Sequence, residues 1–206
     1  MPDRTPENVK VLKKQTLYKK FFEVDEYTFE YPLYNGRMSK PVCYEVMERG
    51  NAVGVLLYDP DREQIVFVEQ FRVGVFFAGD SAPWLLECPA GIMDHKGEKP
   101  EDVAVREAKE ETGAVVADLE PIASYYSSPG GISEKIHLFC GRVDSAHVAA
   151  YAGLVSENED IRVVILSVAD VEKMLAEGKF NNGLTIIALQ WFMLNKEKIR
   201  QKWGVK

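Results

Sequence analysis

The sequence predicts an α/β fold with a mixed β-sheet, preceded by a small subdomain that is made of strands alone. Strand-like runs alternate with three helical segments in residues 50–206, and most strands return through short turns, which favours a mixed sheet. Residues 1–49 contain strand-like runs without a helix between them. A chain of 206 residues can bury one sizeable core and carry such an addition. We therefore divide the sequence into an N-terminal β subdomain, residues 1–49, and a main domain, residues 50–206.

The subdomain is predicted from three strand-like runs, at residues 16–24, 27–33 and 41–48. The second and third runs are separated by Tyr-Asn-Gly-Arg at residues 34–37, which is a turn signal. These features predict a small β appendage in front of the main domain.

Six strands and three helices are predicted in the main domain. The strands are at residues 52–58, 64–73, 84–87, 121–127, 135–143 and 161–166. Helices at residues 168–177 and 184–202 close the chain. The other helix spans residues 100–112, because Pro100 suits its first turn and Gly113 is placed to end it.

The helix at residues 100–112 carries the most informative side chains. At 100° per residue, Glu107, Glu110 and Glu111 share one side, next to a sector of small residues that borders the core. A solvated charged face is the simpler interpretation. Like charges at this spacing repel by about 0.2–0.5 kcal/mol per pair, however, and Arg106 alone cannot neutralise three carboxylates. Mg²⁺ or Mn²⁺ would neutralise them, since both ions take carboxylate, carbonyl and water oxygens and bridge to phosphates.

Residues 106–114, Arg-Glu-Ala-Lys-Glu-Glu-Thr-Gly-Ala, resemble the second half of the Nudix box, the signature of the Nudix hydrolase superfamily. Glu98 matches the upstream half, although six residues instead of five separate it from Gly91, so the loop is one residue longer. The resemblance implies a helix-sheet-helix sandwich and two or more Mg²⁺ ions per site. It implies metal ligation by Glu107, Glu111 and the Ala90 carbonyl, and catalytic roles for Glu110 and Arg106.

Two further loops are similar to those of bacterial ADP-ribose pyrophosphatases, one branch of the superfamily. Pro129 follows Ala114 by fifteen residues, within Ser-Ser-Pro-Gly-Gly-Ile-Ser-Glu. The acidic segment at residues 154–161 is similar to the loop that completes the site in that branch. The resemblance makes Glu157 the general base and Glu159 another metal ligand. Taken alone, the two segments are an ordinary turn and an exposed acidic loop.

The same resemblance assigns the substrate-binding residues. Arg72 matches an arginine that contacts phosphate, for which a surface ion pair is the alternative. Phe21 matches an aromatic residue that stacks on adenine, for which strand packing is the alternative. Tyr44 stands where the bacterial enzymes present an arginine on the other side of the base, so the preference for adenine is less firmly specified. The loop residues assigned to the substrate are Pro129, Gly130 and Glu134.

Composition and charge exclude several classes of protein. The net charge of −7 argues against a surface that follows nucleic-acid phosphates. No segment reaches the apolar length that crosses a membrane, and the N-terminus lacks the apolar core of a signal peptide. Cys43, Cys88 and Cys140 fit neither a disulfide framework nor a zinc site. We therefore expect a cytoplasmic protein that binds neither nucleic acid nor membrane.

The resemblance covers nearly the whole chain and implies hydrolysis of ADP-ribose to AMP and ribose 5-phosphate. It also implies a homodimer in which the N-terminal β segment swaps between subunits and helps to form the nucleoside pocket. Two alternatives stay open: a pyrophosphatase for another nucleoside diphosphate sugar such as GDP-mannose, and a ligand-sensing regulator. The regulator is disfavoured because every acidic position of the box is present and no basic domain is appended.

Overall fold

The computed structural model describes residues 4–95, 97–154, 156 and 158–205, which form two compact units. The first unit contains the chain up to Asn51 together with Tyr125–Lys135. The second contains Ala52–Ser124 and the chain from Ile136 onward. No pattern in the sequence indicates that Tyr125–Lys135 belongs with the N-terminal strands, because that association depends on contacts between segments far apart in the chain.

The first unit is built on an antiparallel three-stranded sheet in the order β1-β2-β3. Its strands are β1 (Lys10–Lys19), β2 (Glu23–Glu30) and β3 (Val42–Glu48). The strand predicted at residues 16–24 is wrong in its boundaries, since the chain turns within it. All ten residues of β1 are exposed, so no alternation of buried and solvent-facing side chains marks this strand in the sequence. The turn predicted at residues 34–37 is confirmed, with Gly36 at a φ of 81°.

An eight-stranded sheet forms the centre of the second unit. Its strands are β4 (Ala52–Asp59), β5 (Gln64–Phe71), β6 (Trp84–Glu87), β7 (Ala90–Ile92), β8 (Asp118–Tyr126), β9 (Lys135–Arg142), β10 (Tyr151–Ala152) and β11 (Ile161–Ser167). The order is β10-β11-β5-β4-β9-β8, with β6 paired to β5 and β7 to β4. The predicted mixed sheet is confirmed, because β4 runs antiparallel to β5 and parallel to β9.

Four α-helices occur in the described residues. They are α1 (Val73–Phe77), α2 (Pro100–Thr112), α3 (Val168–Ala176) and α4 (Gly183–Lys202). Helix α2 has the bounds predicted from the sequence, and Gly113 ends it in the left-handed conformation with a φ of 73°. The short α1 was not predicted, since five residues are too few for a helical period to appear. No helix within the described chain combines the length and the apolar character needed to cross a membrane.

The side chains of β4 show that helices cover both faces of the sheet. Val53 and Val55 are fully buried in one cluster with Val103 of α2. Tyr58 contacts α4, where its ring centroid lies 4.7 Å from that of Phe192. Because successive side chains of a strand point to opposite faces, α2 and α4 lie on opposite sides of the sheet. This confirms the predicted helix-sheet-helix sandwich.

Asp59, at the end of β4, is a buried carboxylate whose charge stabilises the fold. Burial would raise its pKa, but hydrogen bonds from Ser145 and Arg62 prevail and lower the pKa to about 2 from an ordinary 3.8. A group whose pKa is lowered on folding stabilises the protein fully at pH values above its pKa in the unfolded chain. The stabilisation is lost as the pH falls toward the pKa of the group in the folded protein. For Asp59, the difference between the two pKa values corresponds to about 2 kcal/mol.

Asp59→Asn should therefore lower the free energy of unfolding by about 2 kcal/mol at neutral pH. The difference from wild type should shrink as the pH falls from about 4 to about 2, because the wild-type carboxylate then takes up its proton. Urea unfolding at a series of pH values measures this difference. A destabilisation that stays constant over that range would contradict the assigned pKa.

Candidate active site

Helix α2 meets strand β7 through a buried carboxylate. Strand β7 pairs with the beginning of β4, where Ala90 lies opposite Gly54. The Ala90 N–H donates a hydrogen bond of 2.9 Å to Oε2 of Glu111. Two of the residues assigned to the metal are therefore in direct contact.

Glu107 packs over Gly91, the first residue of the motif. A Cβ added to Gly91 would lie 2.0 Å from Glu107 Oε1, so the carboxylate occupies this position only because residue 91 has no side chain. Glu107 is 8% exposed and Glu111 is 2% exposed. The two carboxylates therefore border the core, as the helical pattern predicted, and do not form a solvated face. Val105, which the same pattern placed in the small-residue sector, is instead exposed.

Arg106 joins the two halves of the motif. Its Nη1 lies 2.8 Å from Glu107 Oε1 and 3.1 Å from Glu110 Oε2. Its Nη2 lies 3.5 Å from the carbonyl oxygen of Ile92, and its Nε lies 3.9 Å from Oε1 of Glu98. The loop between Gly91 and Glu98, although one residue longer, therefore still places Glu98 beside helix α2. These contacts describe a positioning group, and the catalytic roles assigned to Arg106 and Glu110 stay predictions.

Burial and the neighbouring charges of the acidic site change the protonation of Glu111. Burial is the main cause that raises its pKa to about 8, and the charges of Glu107 and Glu159 act in the same direction. The hydrogen bond from Ala90 and the positive charge of Arg72 oppose the shift. A bound cation would favour the charged forms of all three carboxylates. These oxygen donors therefore fit a hard divalent ion.

The acidic loop after β10 contributes Glu159. Its Oε2 accepts a hydrogen bond of 3.0 Å from the Leu154 N–H, which fixes the carboxylate against the beginning of the loop. Glu157, the predicted general base, lies outside the described residues. Its role therefore stays a prediction that rests on the sequence.

Asp94, His95 and Glu98 form a second group of possible metal ligands, with one ligand atom from each within 4.8 Å of the others. Among the described residues, the carboxylates of Glu107, Glu111 and Glu159 do not reach this mutual distance. Asp94 and His95 are exposed. Exposed acidic groups of this kind are common without an ion, so we assign this group no role.

Arg72 follows β5 and is ion-paired with a buried acid. Its Nε lies 2.5 Å from Oε2 of Glu87, which is 2% exposed. The other oxygen of Glu87 accepts a hydrogen bond of 2.5 Å from Nδ2 of Asn182. The Arg72 side chain nevertheless stays 40% exposed, and its charge acts on the pKa of Glu111. The ion pair is therefore compatible with the predicted contact to phosphate.

The predicted substrate loop, in the first unit, runs beside the end of β3. The Met47 N–H donates a hydrogen bond of 2.8 Å to the Gly131 carbonyl. An open cavity of about 420 Å³ is lined by Val46, Tyr126 and residues 129–133. Pro129 and Gly130, both predicted to contact the substrate, belong to this lining.

Three other predicted substrate residues do not belong to the described lining of that cavity. Phe21 lies in the turn between β1 and β2 and is 76% exposed, so the expectation that it lies in a strand is wrong. Tyr44 lies on β3, with its ring centroid 5.9 Å from that of Phe29. Glu134 is buried, and its Oε1 lies 3.2 Å from Nε of Arg49. Their contacts with substrate stay predictions.

The sequence interpretation missed Glu87, Asn182 and Arg49. Two local signals were present: Glu87 is a lone acid in the apolar run Leu-Leu-Glu-Cys, and Asn182 stands directly before a predicted helix. Arg49 has no such signal. Its pairing with Glu134 exists only because folding brings together residues that are distant in the chain.

Comparison with known proteins gives a consistent result. A family model described as NUDIX domain matches residues 48–192. An ADP-ribose pyrophosphatase of Haemophilus influenzae is 43% identical over 199 residues, which cover 96% of this chain and 91% of that protein. An ADP-ribose pyrophosphatase of Escherichia coli is 40% identical over 208 residues, covering 98% and 99%. A GDP-mannose pyrophosphatase of Salmonella arizonae is 32% identical over 189 residues, covering 92% and 97%.

A solved structure supports the fold. The crystal structure of an ADP compounds hydrolase superposes with a TM-score of 0.69 and 21% sequence identity. The match covers 98% of this chain and 99% of that one. At this identity the similarity concerns the fold alone, and it agrees with the helix-sheet-helix arrangement described above.

Proposed function

This chain belongs to the NUDIX family of hydrolases, and from this premise we propose that it hydrolyses the pyrophosphate bond of ADP-ribose with the aid of Mg²⁺. The products would be AMP and ribose 5-phosphate. The observation that carries the proposal is the pair of buried carboxylates, Glu107 and Glu111, beside Ala90. Relatives at 40–43% identity are ADP-ribose pyrophosphatases, whereas the GDP-mannose pyrophosphatase is 32% identical, which favours ADP-ribose as the substrate.

The cation would be held by Glu107, Glu111, Glu159 and the Ala90 carbonyl. We propose two or more Mg²⁺ ions, or Mn²⁺ in their place, because a diphosphate diester carries two negative charges that repel an incoming nucleophile. When bound, such ions shield those charges, orient the attacking water and stabilise the leaving phosphate. Burial, together with the charges of Glu107 and Glu159, raises the pKa of Glu111, and a cation bound by this donor set would oppose that shift.

The residues of the chain would position the substrate and move the proton. Glu157 would accept a proton from water while the water oxygen attacks one phosphorus atom. The bond between that phosphorus and the bridging oxygen breaks, and the bridging oxygen leaves with the other phosphate. Arg72 would bind phosphate oxygens through its Nη atoms. Arg106 would keep Glu107 and Glu110 in place, in agreement with its contacts to both.

We propose that Phe21 and Tyr44 recognise the nucleoside. The exposed ring of Phe21 is available for stacking on a base, and Tyr44 offers a second exposed ring. Pro129 and Gly130 would contact the substrate from the cavity that they line. A tyrosine ring lacks the positive charge and the paired N–H donors of an arginine side chain. We therefore expect this protein to discriminate between adenine and guanine less strongly than the bacterial enzymes that have an arginine at this position.

A substrate panel with Mg²⁺ tests the proposal. ADP-ribose, GDP-mannose, UDP-glucose and diadenosine compounds would be compared by kcat/KM, with the products identified by chromatography. ADP-ribose should be cleaved best, to AMP and ribose 5-phosphate. A higher kcat/KM for GDP-mannose would establish the second candidate function, and no cleavage of any of them with Mg²⁺ or Mn²⁺ would contradict the proposed activity.

We further propose a homodimer that exchanges the N-terminal β segment between subunits. Strand β1 supports it, since all ten of its residues are exposed and they include Leu12, Leu17 and Tyr18. Apolar side chains on an exposed strand are covered in an assembly more favourably than in a monomer. Light scattering should therefore give twice the chain mass of 23.3 kDa. A monomer in solution would contradict this prediction.

The cysteines support a reducing compartment. Cys88 and Cys140 are buried thiols, Cys43 is an exposed thiol, and these three form no disulfide with one another. Free thiols persist where glutathione and thioredoxin keep them reduced. We therefore propose that the reaction takes place in the cytoplasm.

A further inference from the structure

We propose that Glu87 and Asn182 are positioning residues that hold the Arg72 guanidinium ready for a phosphate of the substrate. The inference rests on the proposed function, because it concerns how the same site binds its diphosphate. Both residues would act through Arg72, and neither is assigned to the metal or to the attacking water.

Glu87 is a buried acid whose two oxygens are both occupied. Its Oε2 accepts a hydrogen bond from Arg72 Nε, and its Oε1 accepts one from Asn182 Nδ2, each 2.5 Å long. Burial raises the pKa of Glu87, while the charge and hydrogen bond of Arg72 and the hydrogen bond of Asn182 oppose the increase. A buried carboxylate is costly unless its partners stay in place. The positions of Arg72 and Asn182 are therefore coupled through Glu87.

Within the described residues, Arg72 is attached through Nε, and its two Nη atoms are available for a ligand. A guanidinium carries donors on Nε and on both Nη atoms in one rigid plane. With Nε on Glu87, neither Nη of Arg72 has a protein hydrogen-bond partner in the described part of the chain. The Arg72 charge also lowers the pKa of Glu111, so the guanidinium lies within electrostatic reach of a predicted metal ligand. The edge of the guanidinium formed by its two Nη atoms can donate hydrogen bonds to two oxygens of a phosphate.

Asn182 connects the arrangement to the beginning of α4. It is the N-cap of this helix, where its Oδ1 accepts a hydrogen bond of 2.9 Å from the Thr185 N–H. The amide has one satisfactory orientation, because reversal would turn its oxygen toward Glu87 and its NH₂ toward the Thr185 N–H. Thr185 Oγ1 in turn accepts a hydrogen bond of 3.0 Å from the Cys88 N–H. Arg72 is thus held by a helix end and not by an isolated surface ion pair.

A double-mutant cycle with Glu87→Gln and Arg72→Ala tests the proposal. Glu87→Gln should lower kcat/KM for ADP-ribose about tenfold, mainly through KM, because the new NH₂ faces either Arg72 or Asn182. In the Arg72→Ala background the same change should cost less than about twofold, since no guanidinium is left to position. Wild-type kinetics for Glu87→Gln, or equal losses in both backgrounds, would overturn the proposal. If the wild-type protein does not cleave ADP-ribose, the proposed function fails instead.

Asp59→Asn is the matched control. Asp59 is also a buried carboxylate, and its Oδ2 lies 2.8 Å from Arg62 Nη1, but it lies at the opposite end of β4 from β7. This variant should lose stability and keep its kcat/KM. A loss of kcat/KM equal to that of Glu87→Gln would show that any buried charge has this effect, and would overturn the specific role of Glu87.

Two further variants test the contribution of Asn182. Asn182→Ser keeps a good helix cap but removes the donor to Glu87, so its kcat/KM should fall like that of Glu87→Gln. Combining Glu87→Gln with Asn182→Asp restores each hydrogen bond: the new amide accepts from Arg72 Nε and donates to the new carboxylate, which also caps Thr185. This pair should recover kcat/KM to within about threefold of wild type. A full effect of Glu87→Gln without recovery in the pair would overturn the role of Asn182.

Discussion

Glu111→Gln should lower the Mg²⁺-dependent hydrolysis of ADP-ribose about a thousandfold, since charge stabilisation by bound ions contributes several kcal/mol to such reactions. The carboxylate is buried, and burial together with Glu107 and Glu159 raises its pKa to about 8. Glutamine has nearly the same size and can accept the hydrogen bond from Ala90. The metal-free variant should therefore fold normally and be at least as stable as wild type, because glutamine needs neither a buried charge nor the proton that a pKa of about 8 makes the wild-type carboxyl take up near neutral pH.

The measurements for this variant are kcat over a Mg²⁺ titration and Tm by circular dichroism with and without Mg²⁺. Glu101→Gln, an exposed acid in the first turn of the same helix, is the control and should keep the wild-type rate. The assignment of Glu111 would be contradicted by unchanged Mg²⁺-dependent turnover. It would also be contradicted by an increase in Tm on adding Mg²⁺ that equals the wild-type increase.

Helix α2 was predictable because its signals are local. Pro100, the spacing of the glutamates and Gly113 lie within one segment, and the predicted bounds agree with the structure. The same spacing correctly placed Glu107 and Glu111 at the border of the core. It could not show that Gly91 leaves room for the Glu107 carboxylate, because that contact joins a strand to a helix across a loop.

Short or exposed elements were the ones that sequence patterns failed to place. Strand β1 exposes all ten of its residues, so it lacks the two-residue alternation that identifies a half-buried strand. Helix α1 has five residues, too few for a helical period to appear. The strand predicted at residues 64–73 includes only the first residue of α1, Val73.

The positioning of Arg72 was not predictable for a different reason. Glu87 and Asn182 are 95 residues apart in the sequence, and only the packing of β6 beside the beginning of α4 brings their side chains together. Family resemblance identified Arg72 because such a resemblance matches single residues of this sequence to positions in the family's pattern. The partners of that arginine depend on long-range contacts, which no local pattern encodes.

Gly91→Ala should lower the hydrolysis of ADP-ribose about a hundredfold with little loss of stability, since displacements of about 1 Å in a site have effects of this size. The added Cβ would lie 2.0 Å from Glu107 Oε1 and 2.1 Å from its carboxyl carbon. The end of a flexible side chain can move away more easily than backbone can. We therefore expect the Glu107 carboxylate to move instead of the backbone, and it must then leave its position 2.8 Å from Arg106 Nη1.

Two variants separate this displacement from a general effect of alanine. Gly74→Ala adds a Cβ that meets no atom within 4 Å, so this control should keep both its kcat and its Mg²⁺ requirement. In a Glu107→Ala background the clash is absent, and Gly91→Ala should then cause little further loss. If Gly91→Ala cost the same factor in that background, the glycine would act through the backbone of β7, and the contact with Glu107 would not explain its effect.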